Sequence, residues 1–135
     1  MRAFHNDPVI KEKYLTRVRE HRTADQLIKG RYWEGGKGCA VGCTIHSGVH
    51  ADYETKLGIP EVLAYLEDAI FESLPNGQAM EWPEQFLSGI PVGADLLMVW
   101  PRWALWLLEE ELLEYAVERR DVKSVIADVA ALYRL

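Results

Sequence analysis

The segment Cys39-Ala40-Val41-Gly42-Cys43-Thr44-Ile45-His46 decides the fold. Val41, Thr44 and Ile45 are β-branched and favour a strand. The chemistry-bearing positions argue otherwise. Cys39, Cys43, His46 and His50 step by four, three and four, which is the spacing of one helical face. The helix is the reading adopted here. No other stretch invites a strand and one strand makes no sheet, so the chain is expected to be all-α. The segment sits in a longer run, YWEGGKGCAVGCTIHSGVHADYE (32–54), with both cysteines, two of the four histidines and five of the ten glycines.

Outward from this run the helix signals are clear. Asp7-Pro8 is a cap followed by a first-turn proline, and Ile10, Tyr14 and Val18 share a side. Thr23 is expected to cap a short second helix to Ile28, closed by Gly30. Gly35-Gly36-Lys37-Gly38 reads as a turn. Pro60 opens a helix with Leu63, Leu66, Ile70 and Leu74 as its apolar stripe and Glu61, Glu67, Asp68 and Glu72 on other faces. Pro75-Asn76-Gly77 stops it. Trp82-Pro83 starts a short helix, and Ile90-Pro91-Val92-Gly93 breaks the chain again. Asp95 can cap the next element. Trp100-Pro101 opens the longest helix, to about Arg119, with an acidic side at Glu109, Glu110, Glu111, Glu114 and Glu118. Asp121 caps a last helix on which Val122, Val125, Ile126, Val129, Leu132 and Tyr133 follow an amphipathic period. The expectation is a single compact helical domain over residues 1–135, with five to seven helices.

Composition narrows the function classes. With 135 residues, 49% hydrophobic and 27% charged, the chain is neither disordered nor fibrous. Residues 1–37 carry nine Lys/Arg and five Asp/Glu, and residues 38–135 carry six and sixteen, for a net −6. An acidic body with a mildly basic N-terminal helix disfavours general nucleic-acid binding, which needs a basic face. The longest apolar stretch, Leu96 to Leu108, is broken by Pro101 and Arg102 and is short of the ~20 residues of a membrane span. No secretion signal is apparent, so the two cysteines are expected to be reduced thiols in the cytoplasm.

The runs KGCAVGCTIHS (37–47), ETKLGIP (54–60), LEDAIFESLPNG (66–77), WPEQFL (82–87) and IPVGADL (90–96) resemble a group of uncharacterised bacterial and phage-associated proteins. The resemblance implies a cytoplasmic protein of mobile-element origin. It carries no known activity, and so no residue roles.

Three chemical readings compete for the central run. Cys39, Cys43, His46 and His50 are metal-ligand types, but on one straight helix Cys39 and His50 lie about 16 Å apart, against zinc bonds of ~2.0–2.3 Å. A single-ion site is therefore disfavoured, unless the helix ends near Gly48 and folds His50 back. A thiol nucleophile would use Cys43 beside His46, with Glu54 or Asp52 orienting the imidazole, or Cys39 near its helix start. An anion site would use Gly35, Gly36, Lys37 and Gly38, although these do not match a phosphate-loop pattern. The pattern calls for no cofactor. Against all three stands a structural role, with the cysteines as small buried hydrophobes.

Trp100, Trp103 and Trp106 lie in the most apolar region. Such a helix is buried, in its own domain or across an interface. As core residues Trp103 and Trp106 would each cost ~3–5 kcal/mol on truncation to alanine. The leading expectation is a non-enzymatic helical protein acting on a protein partner or on itself as a homo-oligomer. The alternative is a small enzyme or metal- or anion-binding protein using the Cys/His run.

Overall fold

The computed structural model describes residues 1–116 and 118–134. Among the described residues the protein is all-α: 68% of it is helical, in seven helices, one of which is divided by a π-helical turn into two α-helical segments. It divides into two compact units, Met1–Leu96 and Leu97–Leu135.

In the first unit, α1 (Pro8–Thr23) starts as its sequence predicts, with the Asp7 carboxylate accepting from the Val9 N–H at 2.8 Å and Pro8 in the first turn. A two-residue antiparallel hairpin comes next, β1 (Trp33–Glu34) and β2 (Lys37–Gly38). Then come α2 (Ala40–Ile45), α3 (Asp52–Leu57), α4 (Glu61–Ser73) and α5 (Asn76–Gly89). The organising element is α2. All six of its residues are buried, as expected of a helix apolar on every side, and it packs against α1, α3, α4 and α5. Phe4, Val18, Tyr53, Leu57, Ile59, Phe71 and Leu87 complete the core.

Several expectations are corrected here. Thr23 ends α1 instead of capping a second helix. The chain turns at Ala24-Asp25, with Asp25 left-handed (φ 55°), and Leu27 then makes an isolated bridge to Gly38. The hairpin was missed because its strands are only two residues long. Its turn has the Gly-Gly signal, with φ of 58° at Gly35 and 77° at Gly36, as two-residue hairpin turns require. α4 does end just before Pro75, but the next helix starts at once at Asn76 rather than at Trp82-Pro83, and runs through Pro83. On α4 the buried face is Leu63, Ala64, Glu67, Asp68 and Phe71, so two carboxylates assigned to outer faces point inward. Cys39 to His50 is not one helix either. It stops at Ile45, with His46 in the left-handed conformation (φ 53°, ψ 46°) as its C-cap.

The second unit is a helical hairpin. α6 (Val99–Trp106) continues through a π-helical turn (Leu107–Glu111) into α7 (Leu112–Tyr115), and α8 (Arg120–Tyr133) packs back along them. The helix starts one residue before Trp100 and ends at Tyr115, and Asp121 lies inside the first turn of α8 rather than capping it. Arg134 pairs with Glu109 across the hairpin. Its buried residues are Ala104, Ala116, Ile126 and Ala130. Trp103 and Trp106, for which the sequence offers a core or an interface, are 36% and 49% exposed, so they are not core residues of this unit. Two helices can cover only the stripe along which they meet, which leaves the indoles outside it.

Candidate functional site

Around α2 the Cys/His run separates into two clusters at opposite ends of the helix. The first is centred on Asp68. Its carboxylate accepts from the Val41 backbone N–H (3.1 Å), the Cys39 thiol (3.1 Å) and Nε2 of His50 (2.6 Å). The His50 ring stacks on Tyr65 (centroids 4.2 Å apart, planes within 3°) and meets the edge of Tyr32. One buried carboxylate thus ties the start of α2, the segment before α3 and helix α4 together. Such groups are stable in a core only when hydrogen-bonded, and Asp68 is.

One residue along, Glu67 is fully buried and accepts from the Tyr53 hydroxyl at 2.6 Å, while its other oxygen, Oε1, has no partner among the described residues. Burial above all, with the Asp68 charge adding to it and the Tyr53 hydrogen bond opposing it, pushes the Glu67 carboxyl well above the ordinary range. Its backbone carbonyl accepts from the Trp82 indole.

The second cluster sits at the C-terminal end of α2. Nε2 of His21 and Nε2 of His46 are 2.7 Å apart, and Nδ1 of His21 lies 2.7 Å from Oε1 of Gln26. Trp33 stacks on the His46 ring (4.7 Å, 13°) and meets the edge of His21. Arg17 and Lys56 donate to the carbonyls of Thr44 and Ile45, covering the helix end with positive charge where cations are favoured.

The sequence candidates fall differently from the readings that named them. Cys43 is buried, its thiol directed at the carbonyls of Gly38 and Gln26, and burial pushes its pKa up to about 12. Cys39 is shifted further upward by burial, then by the Asp68 charge, so proximity to the helix start does not activate it. Both cysteines are free. A thiolate is the reactive form, and neither site favours one. Glu54 accepts from the Glu61 N–H and so caps α4 instead of orienting an imidazole. Asp52 pairs with Lys56. The four proposed ligands do not converge: His50 joins Cys39 at Asp68, and His46 joins His21. Among the described residues no group of three or more His, Cys, Asp or Glu is placed to hold a metal ion.

The glycine run forms the hairpin turn, and the backbone at its end is engaged. Gly38 N–H donates to Gln26, and Cys39 N–H to Arg31 and Tyr32. A side chain is excluded at two of these glycines. A Cβ on Gly38 or Gly42 would lie 2.1 or 1.7 Å from the Tyr32 carbonyl oxygen, which packs directly on α2.

The sequence reading missed Glu67, Asp68, His21, Gln26 and Trp33. For the carboxylates a signal existed: Leu63, Glu67 and Phe71 are spaced by four, as are Ala64 and Asp68, so both acids interrupt apolar rows. For His21 and Trp33 no local pattern points to His46. The chain matches no protein-family model, no curated protein and no solved structure.

Proposed function

We propose that the protein acts without catalysis, by self-association through its C-terminal helical hairpin, in the cytoplasm. The observation that carries this reading is the apolar surface of residues 97–135. Among the described residues four side chains are buried there, three of them alanine, while Val99, Trp103, Trp106, Leu112, Tyr115, Val125 and Leu132 are exposed, Tyr115 at 84%. So many exposed large apolar side chains on one short hairpin point to an interface, and aromatic residues are the usual anchors of one. Two-helix hairpins gain a core by pairing into four-helix bundles.

A second copy fits better than an acidic or basic partner because the hairpin carries both signs. It has five basic and seven acidic residues. Glu109, Glu110, Glu111 and Glu114 lie on one helix, and Arg119, Arg120 and Lys123 at the start of the next. In a two-fold pairing the acidic helix of one copy meets the basic end of the other. The burial of both thiols supports the non-catalytic part of the reading. No helix among the described residues is long and apolar enough to cross a membrane.

The test is analytical ultracentrifugation of the wild type and of a Trp106→Glu/Leu112→Glu double variant, with circular dichroism as a control. The expected result is a wild-type oligomer and a folded, monomeric variant. A variant that stays associated removes the hairpin from the interface.

A further inference from the structure

The His21–His46 pair has a geometry that neither the core nor the hairpin surface requires. Two imidazoles present Nε2 atoms to each other at 2.7 Å, His46 is exposed, and Trp33 holds its ring flat. With the Gln26 amide oxygen facing Nδ1 of His21, that nitrogen carries the proton, and Nε2 of His21 presents a lone pair. A hydrogen bond from the remote ring nitrogen to a fixed acceptor is the usual support of a metal-ligating histidine.

We propose that His21 and His46 form a two-histidine site for a divalent transition-metal ion of tetragonal preference, Cu²⁺ or Ni²⁺. Imidazole nitrogen suits these ions, and Cu²⁺ stands highest in the affinity order. The distance selects among geometries. With metal–nitrogen bonds of about 2.0–2.1 Å, two ligands at 90° have nitrogens about 2.8–3.0 Å apart, and two at the tetrahedral angle about 3.3–3.4 Å. A cis pair in a square plane needs the nitrogens to part by about 0.1–0.3 Å and tetrahedral zinc by about 0.6–0.7 Å, and in either case the rings, set nearly head-on with centroids 4.9 Å apart, must also turn so that both lone pairs converge on the ion. Binding costs the hydrogen bond between the rings. His46 releases its Nε2 proton to water and takes one on Nδ1, so that both Nε2 lone pairs face the ion and no net proton is lost. Water fills the remaining positions on the exposed side, since no third ligand-type side chain completes a group there among the described residues.

Two features of the site act in opposite directions. Burial first, then Arg17, His21 and Lys56, hold the His46 imidazole below its ordinary pKa, which keeps it unprotonated at neutral pH. The same two cations repel a metal ion, so the site is an exchangeable one and not a structural centre. This differs from the Cys39, Cys43, His46, His50 set considered from the sequence, of which it keeps only His46.

The full-length protein is titrated with Ni²⁺, which does not oxidise thiols, by calorimetry, and with Cu²⁺ by tryptophan fluorescence. Trp33, stacked on a ligand ring, reports the copper ion by quenching. One ion per chain is expected, lost in His46→Gln and in His21→Gln, weakened about tenfold in Gln26→Ala, and unchanged in His5→Gln, with circular dichroism confirming that each variant is folded. Wild type that binds neither ion saturably overturns the proposal. So does undiminished binding by folded His46→Gln, or a Gln26→Ala affinity equal to that of wild type.

Discussion

Replacing Asp68 by alanine removes the acceptor for three buried donors at once: the Val41 N–H, the Cys39 thiol and the His50 ring N–H. Leaving a buried donor unpaired costs about 1–3 kcal/mol, with a thiol at the weak end and an imidazole toward the strong end. The sum is about 4–6 kcal/mol, against a total stability of about 5–15 kcal/mol for a domain. Asp68→Ala is therefore expected to lose most of its stability, and Asp68→Asn, which keeps one acceptor oxygen and the side-chain shape, about 1–3 kcal/mol. Urea unfolding followed by circular dichroism measures both. A second readout is independent of stability: Cys39 would lose both its carboxylate partner and the charge that raises it, so its labelling by a thiol reagent in folded Asp68→Asn should quicken more than that of Cys43, which feels the same charge only as a lesser effect and makes no hydrogen bond to it. An Asp68→Ala protein within about 0.5 kcal/mol of wild type, the range of ordinary surface substitutions, would refute the role given to this carboxylate.

Three more outcomes are expected. Gly42→Ala, which in an ordinary helix stabilises by about 0.5–1 kcal/mol, should destabilise here because its Cβ would lie 1.7 Å from the Tyr32 carbonyl oxygen; a thermal melt at or above the wild-type temperature contradicts the close approach. The raised pKa of Glu67 means that the native state keeps a proton the unfolded chain loses above pH ~4.3, so this residue makes stability fall as pH rises past that value. The urea midpoint of Glu67→Gln relative to wild type should accordingly shift in favour of the variant between pH ~4.5 and 8, and parallel pH profiles would sink the assignment. Both native thiols should react slowly with an aromatic disulfide at neutral pH and readily in denaturant, since burial raises both pKa values; rapid native labelling of either would revive the nucleophile reading.

Much of the first unit is legible in the sequence because its signals are local. Asp7-Pro8, Gly58-Ile59-Pro60 and the Ile90–Gly93 break mark boundaries by backbone chemistry alone. The helix at 40–45 follows from reading spacing above β-branching, and its burial from apolar residues all round. The reading fails where partners are remote. Periodicity ranks residues by hydropathy, so Glu67 and Asp68 are assigned to water although the donors that satisfy Asp68 come from residues 39–50. His46 likewise pairs with His21, 25 residues away, once its left-handed backbone ends α2 and separates it from His50. For the tryptophans the sequence leaves a core and an interface both open, and of the two the hairpin of 39 residues provides too little surface to make them core.

Light scattering on the wild-type protein over a wide concentration range tests the assembly reading most directly. Self-association through the C-terminal hairpin requires a mass that rises with concentration toward at least twice the chain mass of 15.4 kDa. A mass that stays at 15.4 kDa at every concentration contradicts it.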